Sequence, residues 1–173
     1  SKVISTATCI MKLVEEGILT LDTKISEVFP DFSEKEITIK QCITHSSGLP
    51  ADINGYKAMS KEEMIYAALH VKQEEEWINK VHYSDVNFIL LGMIIAHYKG
   101  SLDAYAKEVL FDPLQMINTT YNPSPDVKDR CASYEDLEAR GGIVRGVVHD
   151  GKSYKLGGVS GHAGVFSTID DLT

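Results

Sequence analysis

Apolar residues recur at helical spacing along much of the chain. Near its start they lie three and four residues apart, which predicts a helix with one buried face that ends at Gly17. The predicted face consists of Val3, Ile4, Ala7, Ile10, Met11 and Val14. Ser60 and Glu63 have the spacing of a capping box, which predicts the start of a second helix that runs to about Val71.

More helices are predicted in the middle of the chain. Residues 37–39 form a short extended entry into a brief helix. A strongly apolar helix is predicted over residues 86–98, and Gly100 ends it. Ser101 then caps a helix that runs to about Leu110. Helices are therefore expected to dominate the fold.

Strand signals are short and scattered. Residues 18–36 and 119–142 are predicted to be mostly irregular, and residues 143–148 alternate weakly as a strand. Residues 157–164 form a glycine-dense loop, which a short strand and a helix start at residues 167–168 follow. A compact enzyme would need a sheet that these segments do not supply. The predicted fold class is mainly α with short β strands.

Composition and charge narrow the range of partners. The hydrophobic content of 43% and the charged content of 24% are ordinary for a soluble globular protein. A formal net charge of -8 argues against a nucleic-acid partner, because phosphate binding needs a basic face. The longest apolar stretch, residues 88–96, is too short to cross a bilayer. Three cysteines without CxxC spacing favour neither a disulfide framework nor a zinc knuckle, and no cofactor is predicted.

Both ends of the sequence have the character of internal segments. Ser1 leads directly into an apolar helical pattern, without Met, signal peptide or loop. Residues 169–173 stop in what the pattern predicts to be the first turn of a helix. We therefore expect a single helical subdomain over residues 1–173, truncated at both ends relative to a longer parent protein.

Several short motifs follow one another in a definite order. Lys2 is followed by a helix, Tyr83-Ser84-Asp85 by an apolar helix, and Gly161-His162-Ala163-Gly164 by Phe-Ser-Thr. The matching stretches are residues 2–17, 19–30, 37–50, 83–92, 113–116 and 161–172. Each motif alone is weak, but their order and spacing resemble the serine β-lactamase and penicillin-binding-protein family. That family unites class C β-lactamases, DD-carboxypeptidases and related esterases.

The resemblance implies a fold and a function. The fold would be the helical portion of the α/β serine β-lactamase and DD-peptidase fold, with most of the sheet missing. The function would be that of a bacterial serine hydrolase that forms an acyl-enzyme on β-lactam, D-Ala-D-Ala peptide or ester substrates. The expected partner is thus a small-molecule or peptidoglycan-peptide substrate. Members of the family often act outside the cytoplasm, so the resemblance also implies a location at the cell exterior.

Lys2 matches the lysine of the family's Ser-x-x-Lys motif. Serine at its ordinary pKa is a poor nucleophile, and a lysine one helical turn later lies on the same side of the helix. The matching serine would lie three residues before Lys2, and Ser1 cannot replace it because adjacent helical residues point about 100° apart. The chain itself is therefore expected to be inactive. Without the resemblance, Lys2 would be an ordinary terminal lysine.

Tyr83 and Asp85 match the family's Tyr-x-Asn motif with one departure. The resemblance makes Tyr83 a catalytic proton shuttle; otherwise it would be a half-buried tyrosine that braces a helix. Asp85 replaces Asn and is predicted to bind substrate and hold Lys2. An ionised carboxylate only accepts hydrogen bonds, so Asp85 lacks the donor of an amide. Asp85 also has the position of a helix cap, and the two roles are compatible.

His162 is the remaining candidate, as a substrate-binding residue. Its Gly-His-Ala-Gly context superficially resembles the family's His-x-Gly motif, but the residues that follow it resemble an earlier loop on the active-site rim. Ser160 does not complete the Gly-x-Ser-x-Gly nucleophile elbow. A zinc hydrolase is disfavoured because no HExxH motif is present, and no metal site is predicted. A non-catalytic homologue that binds peptide or glycan is the alternative, and Asp85 is its main support.

Overall fold

Helices dominate the computed structural model of the chain, which describes residues 1–136 and 140–173. The first helix begins as a π-helical segment, Lys2–Ala7, and continues as α1, Thr8–Glu15. The later helices are α2 Ile25–Val28, α3 Ile39–Ile43, α4 Lys61–His70, α5 Asp85–Lys99, α6 Leu102–Ala106, α7 Pro125–Lys128, α8 Gly151–Lys155 and α9 Ile169–Leu172. A π-helical segment, Lys107–Phe111, extends α6, and 3-10 turns occupy Tyr56–Ala58 and Glu75–Trp77. The predicted fold class, mainly α with short strands, is confirmed in this architecture.

The apolar helix α5 lies at the centre of the core. Its residues from Val86 to Leu91 are all buried, and so are Ile94 and Ile95. A helix that is apolar all round is stable only when other elements cover it. The Ser84 hydroxyl caps its start by accepting from the Asn87 N–H, and Gly100 ends it with a left-handed φ of 83°. The predicted helix over residues 86–98 is therefore confirmed within one or two residues at each end.

The buried face of the first helix differs from the predicted one. Val3 is 74% exposed and Met11 46% exposed, although both were expected inside. The face that the core covers instead consists of Ser5, Thr6, Cys9, Ile10 and Leu13. The prediction was wrong at Val3 and Met11 because apolar spacing ignores buried hydroxyls, whereas Ile10 is buried as predicted and Ala7 and Val14 pack against the core. The two hydroxyls are satisfied where they are, since Ser5 contacts the Tyr121 hydroxyl at 3.0 Å and Thr6 donates to the Gly161 carbonyl at 2.7 Å.

Two small antiparallel sheets complete the described part of the chain. Strand β1, Thr120–Tyr121, pairs with β4, Val165–Phe166, and β2, Ser133–Asp136, pairs with β3, Gly142–Arg145. Residues 119–142 were predicted as mostly loop, but β1, α7 and β2 lie there; of this range, residues 137–139 lie outside the described residues. Strand β2 was missed because its side chains are polar and none is buried, so apolar alternation cannot show it. Helix α8 was not predicted either.

Loop 157–164 crosses α5 at a glycine–glycine contact. A methyl group on Gly161 would lie 1.9 Å from the Phe88 carbonyl oxygen, and one on Gly92 would lie 2.7 Å from the Gly161 nitrogen. Contacts this short between backbone groups cannot be relieved by moving a side chain. Glycine at both positions therefore lets the loop, which carries His162, lie directly on α5.

We expect Gly161→Ala to destabilise the protein by about 2 kcal/mol, because the added methyl group overpacks this crossing. Gly17→Ala is the matched control: Gly17 has a left-handed φ of 72° with open space around it, so alanine there costs only backbone strain, about 1 kcal/mol. Urea unfolding monitored by circular dichroism measures both. Equal losses in the two variants would mean that the crossing at Gly161 is not tight.

Candidate active site

Three residues that match the two family motifs meet at one ammonium group. The Lys2 Nζ donates to the Tyr83 hydroxyl at 2.6 Å and to the Asp85 Oδ1 at 2.7 Å. It also donates to the backbone carbonyl of His162 at 3.2 Å. These partners lie more than 80 residues away in sequence. A lysine ammonium has three donors, and all of them are used here.

The first helical turn places Lys2 between α5 and loop 157–164. The Ser1 hydroxyl accepts from the Val165 N–H at 3.0 Å, which ties the start of the chain to β4. The Thr6 hydroxyl holds the Gly161 carbonyl at 2.7 Å from the next part of the helix. The helix and the loop are thus joined on both sides of Lys2, which positions its side chain at the start of α5.

His45 packs against the ring of Tyr83. The two rings lie 4.9 Å apart between centroids, and the Nδ1 of His45 accepts from the Ser84 N–H at 3.1 Å. Burial, reinforced by the charge of Lys2, lowers the pKa of His45, so its ring stays neutral and Nδ1 can accept. Tyr83 itself is 59% exposed, with its hydroxyl on Lys2. His45 lies in residues 37–50, one of the stretches that match the family, but no role was predicted for it.

Asp85 is ionised between positive charges. Burial opposes its ionisation, but the hydrogen bond from Lys2 and the charges of His162, Lys2 and Lys152 outweigh burial, so the pKa of Asp85 lies below its ordinary value. Its Oδ1 faces Lys2 at 2.7 Å, and its Oδ2 faces the Lys152 Nζ at 3.2 Å. Asp85 is also the first residue of α5, where the positive end of the helix dipole stabilises a negatively charged carboxylate.

Lys152 is a buried cation that the sequence analysis missed. Its side chain is 5% exposed, and its Nζ lies 3.0 Å from Asp52, 3.2 Å from Asp85 and 3.7 Å from Asp150. Burial favours the neutral amine, but these carboxylates prevail and raise the pKa of Lys152. Asp150 caps α8 by accepting from the Ser153 N–H at 2.7 Å, which is a local signal for the helix but not for the burial of Lys152.

The ring of His162 is held inside the protein. His162 is 4% exposed; its Nδ1 lies 2.8 Å from the Ser160 hydroxyl and its Nε2 lies 2.7 Å from the Asp150 Oδ1. Burial alone would raise the pKa of Asp150, but the hydrogen bond and the charge of His162 have a larger, opposite effect. The pKa of Asp150 therefore lies well below its ordinary range. The sequence predicts His162 as a substrate-binding residue, yet both of its ring nitrogens are occupied and it reaches Lys2 only through its carbonyl.

The side chains of Ser160, His162 and Asp150 form a series of hydrogen bonds that resembles a Ser-His-Asp hydrolase triad. Ser160 is nevertheless buried, whereas the contact between Lys2 and Tyr83 lies at the surface. The three side chains therefore connect loop 157–164 to α8 and stabilise the loop whose carbonyl holds Lys2. This chain of hydrogen bonds holds the loop beside the candidate site.

One group of potential metal ligands lies in the same region. Asp85, Asp150 and His162 offer ligand atoms within 4.8 Å of one another. The Lys152 ammonium lies among them, within 3.7 Å of both carboxylates. A positive charge supplied by the chain thus already compensates this acidic group. Among the residues that the structure describes, no helix combines the length and the apolar character needed to cross a membrane.

The sequence of the chain matches a known protein family. The family model described as Beta-lactamase matches residues 1–173. The chain belongs to the beta-lactamase family. The resemblance that the motifs indicated is therefore confirmed over the whole sequence.

Individual relatives match the chain at 20% to 29% identity. The chain is 28% identical to the "N-acetylmuramyl-L-alanine amidase" of Bacillus subtilis and 29% identical to the "Putative D-alanyl-D-alanine carboxypeptidase" of Escherichia coli K12, over 99% of its length in both cases. It superposes on FmtA of Staphylococcus aureus with a TM-score of 0.79 and 20% identity, over 98% of the chain and 46% of FmtA. The chain spans about half the length of the curated relatives, 46% and 47%.

Proposed function

We propose that these 173 residues are part of a serine hydrolase that forms an acyl-enzyme on β-lactam, D-Ala-D-Ala peptide or ester substrates. Lys2 and Tyr83 are its proton-transfer residues. The observation that carries the proposal is the 2.6 Å hydrogen bond between the Lys2 Nζ and the Tyr83 hydroxyl. Two motifs that lie 81 positions apart in sequence are joined by this one contact. The proposed nucleophile is a serine three residues before Lys2 in the full-length protein.

The contact supports a proton relay. Lys2 first releases its own proton and then, as a neutral amine, takes the proton of the serine hydroxyl as the serine oxygen bonds to the substrate carbonyl carbon. Tyr83 passes a proton to the leaving nitrogen as the carbon–nitrogen bond breaks, and the hydrogen bond returns the proton of Lys2 to Tyr83. Water then repeats the sequence in place of the leaving group, which releases the acid and the free serine.

Asp85 holds Lys2 in position in this proposal. Its Oδ1 fixes the ammonium at 2.7 Å, opposite the Tyr83 hydroxyl, so that the lysine side chain cannot swing away. As a carboxylate it accepts and does not donate, so its contact with substrate is to a donor such as an N–H group. His162 supports the same lysine through its backbone carbonyl, and we assign it no direct contact with substrate.

The names of the relatives support an amide substrate. The Bacillus subtilis and Escherichia coli relatives are named for an amidase and a carboxypeptidase, and both names include alanine. An amide requires protonation of its leaving nitrogen, which is the step that we assign to Tyr83. We therefore propose a peptide of the bacterial cell wall as the natural partner, with β-lactams as its analogues.

Covalent labelling tests the proposed function. We expect fluorescent penicillin to label the full-length protein at the serine three residues before Lys2, as located by mass spectrometry of the adduct peptide. The 173-residue chain is expected to remain unlabelled. A label on Ser160, or an adduct on the 173-residue chain, would contradict the proposal. Reversible binding of penicillin or of a D-Ala-D-Ala peptide without any adduct would instead support a non-catalytic binding homologue.

A further inference from the structure

The carboxylate of Asp85 is shared between two lysines. Its Oδ1 lies 2.7 Å from the Lys2 Nζ, and its Oδ2 lies 3.2 Å from the Lys152 Nζ. The Lys152 side chain is almost fully buried, and its ammonium lies 5.1 Å from the centroid of the Tyr56 ring. Burying a charged ammonium costs desolvation energy, which the carboxylates around it must offset. This cost suggests that the charge of Lys152 has a role in the site.

We propose that Lys152 is a positioning residue for the reaction, which offsets the charge of Asp85 so that Lys2 can give up its proton. This inference rests on the proposed function, because it assigns to Lys2 the role of a base. Lys152 itself touches neither the Tyr83 hydroxyl nor the place of the substrate carbonyl in that mechanism. It acts through the carboxylate that it shares with Lys2.

The charges around the two lysines determine the direction of the effect. Lys152 faces three carboxylates, those of Asp52, Asp85 and Asp150, whereas Lys2, among the described residues, forms an ion pair with Asp85. Without Lys152, the Oδ2 of Asp85 would lose its lysine partner, and the negative charge of Asp85 would act more strongly on Lys2. Opposite charge within about 4–6 Å favours the charged form of a group, so Lys2 would hold its proton more tightly.

Other titratable groups lie around Lys2 and Asp85. Burial and the charge of Lys2 lower the pKa of His45, so this ring adds no charge beside Lys2. The charge of His162 acts on Asp85 together with the charges of the two lysines, but the His162 ring bonds Asp150, at 2.7 Å. Lys152 is the lysine on the oxygen of Asp85 that faces away from Lys2, at 3.2 Å.

The replacement of the family's Asn by Asp85 is then matched by the positive charge of Lys152. The motif that Tyr83-Ser84-Asp85 resembles carries Asn where this chain carries Asp85, and an amide brings no charge to Lys2. A lone carboxylate at that position would keep Lys2 protonated and make it a poor base. Lys152 on the other oxygen lets the chain use an acid here and still keep Lys2 reactive.

The kinetic test compares variants of the full-length protein across pH. We expect Lys152→Met to move the acidic limb of the kcat/KM profile up by about one pH unit or more, because Lys2 then loses its proton at higher pH. Lys152→Arg keeps the charge and should restore most of the normal profile. In an Asp85→Asn background Lys152→Met should move the limb much less, since the shared carboxylate is gone.

A matched control lies on the same helix. Lys155 is half-buried and donates to the Met59 carbonyl at 2.9 Å, away from the carboxylates, so Lys155→Met should leave the profile unchanged. If Lys152→Met does not fold, Asp52→Asn serves instead. It removes one negative charge from the cluster and should move the acidic limb to lower pH by a few tenths of a unit.

A titration separates this inference from the proposed function. Carbon NMR of labelled aspartates follows Asp85 without any activity, and Lys152→Met should raise the pKa of Asp85 by about one unit. A protein that forms no acyl-enzyme but shows this rise would refute the proposed function while preserving the coupling of Lys152 to Asp85. An unchanged Asp85 titration, or an unchanged acidic limb in an active Lys152→Met enzyme, would overturn the inference.

Discussion

Replacing Lys2 with Met in the full-length protein should slow acylation by about 10³-fold or more, since general-base catalysis contributes up to about 10⁴-fold. The Met side chain has similar length and fills the same space, but it cannot accept the serine proton. Asp85 still has Lys152 at 3.2 Å in this variant, which keeps that carboxylate paired. Stopped-flow measurement of acylation by a penicillin gives the rate, and circular dichroism confirms that the variant folds.

A second substitution at the same position separates proton transfer from simple attraction. Lys2→Arg keeps a cation beside Asp85, but a guanidinium does not deprotonate at accessible pH. If Lys2 is the base, Arg should be nearly as slow as Met; recovery of most of the rate with Arg would show that only the charge matters. Lys12→Met is the matched control on the same helix, since Lys12 pairs with Glu15 at the surface and should change the rate less than twofold.

The helices could be predicted because their ends carry local signals. Ser60 accepts from the Glu63 N–H at 3.2 Å, and Ser101 accepts from the Ala104 N–H at 3.2 Å. Such caps involve residues three positions apart, so the sequence contains the whole interaction. The apolar run of α5 is equally local. Neither signal depends on where the rest of the chain lies.

The buried face of the first helix could not be predicted on the same basis. Ser5 and Thr6 are buried because Tyr121 and Gly161, more than 100 residues later, supply their hydrogen bonds. A polar residue reads as exposed until its distant partner is known. The hydrophobic pattern therefore selected Val3 and Met11, which the surrounding elements leave partly open.

Some residues of the candidate site could be predicted from the sequence, and Lys152 could not. Lys2, Tyr83 and Asp85 were found through the order of family motifs, and the structure places both Tyr83 and Asp85 within hydrogen-bonding distance of Lys2. Their catalytic roles remain proposals. Lys152 has no such motif, and its carboxylate partners at positions 52 and 85 are remote in sequence. Nothing along the chain distinguishes it from an exposed lysine before the fold brings these acids together.

The effect of replacing Tyr83 with Phe should depend on the leaving group. The substitution removes only the hydroxyl that accepts from Lys2 and keeps the ring against His45. A D-Ala-D-Ala peptide must have its leaving nitrogen protonated, so we expect acylation by this substrate to fall by about 10²-fold or more. A p-nitrophenyl ester releases a stable phenolate that needs no proton, and its rate should fall by less than about tenfold.

A matched tyrosine and two substrates make this test specific. Tyr66 is also exposed and stacks on His70, with centroids 3.9 Å apart, and the sequence and structure give it no partner in the candidate site. Tyr66→Phe should therefore leave both rates unchanged. Parallel kcat/KM measurements on the peptide and on the ester compare the two variants with the unaltered protein. Equal losses on both substrates in Tyr83→Phe would mean that the hydroxyl acts by positioning Lys2, because loss of the base slows both reactions, and Tyr83 would then not be the proton donor to the leaving group.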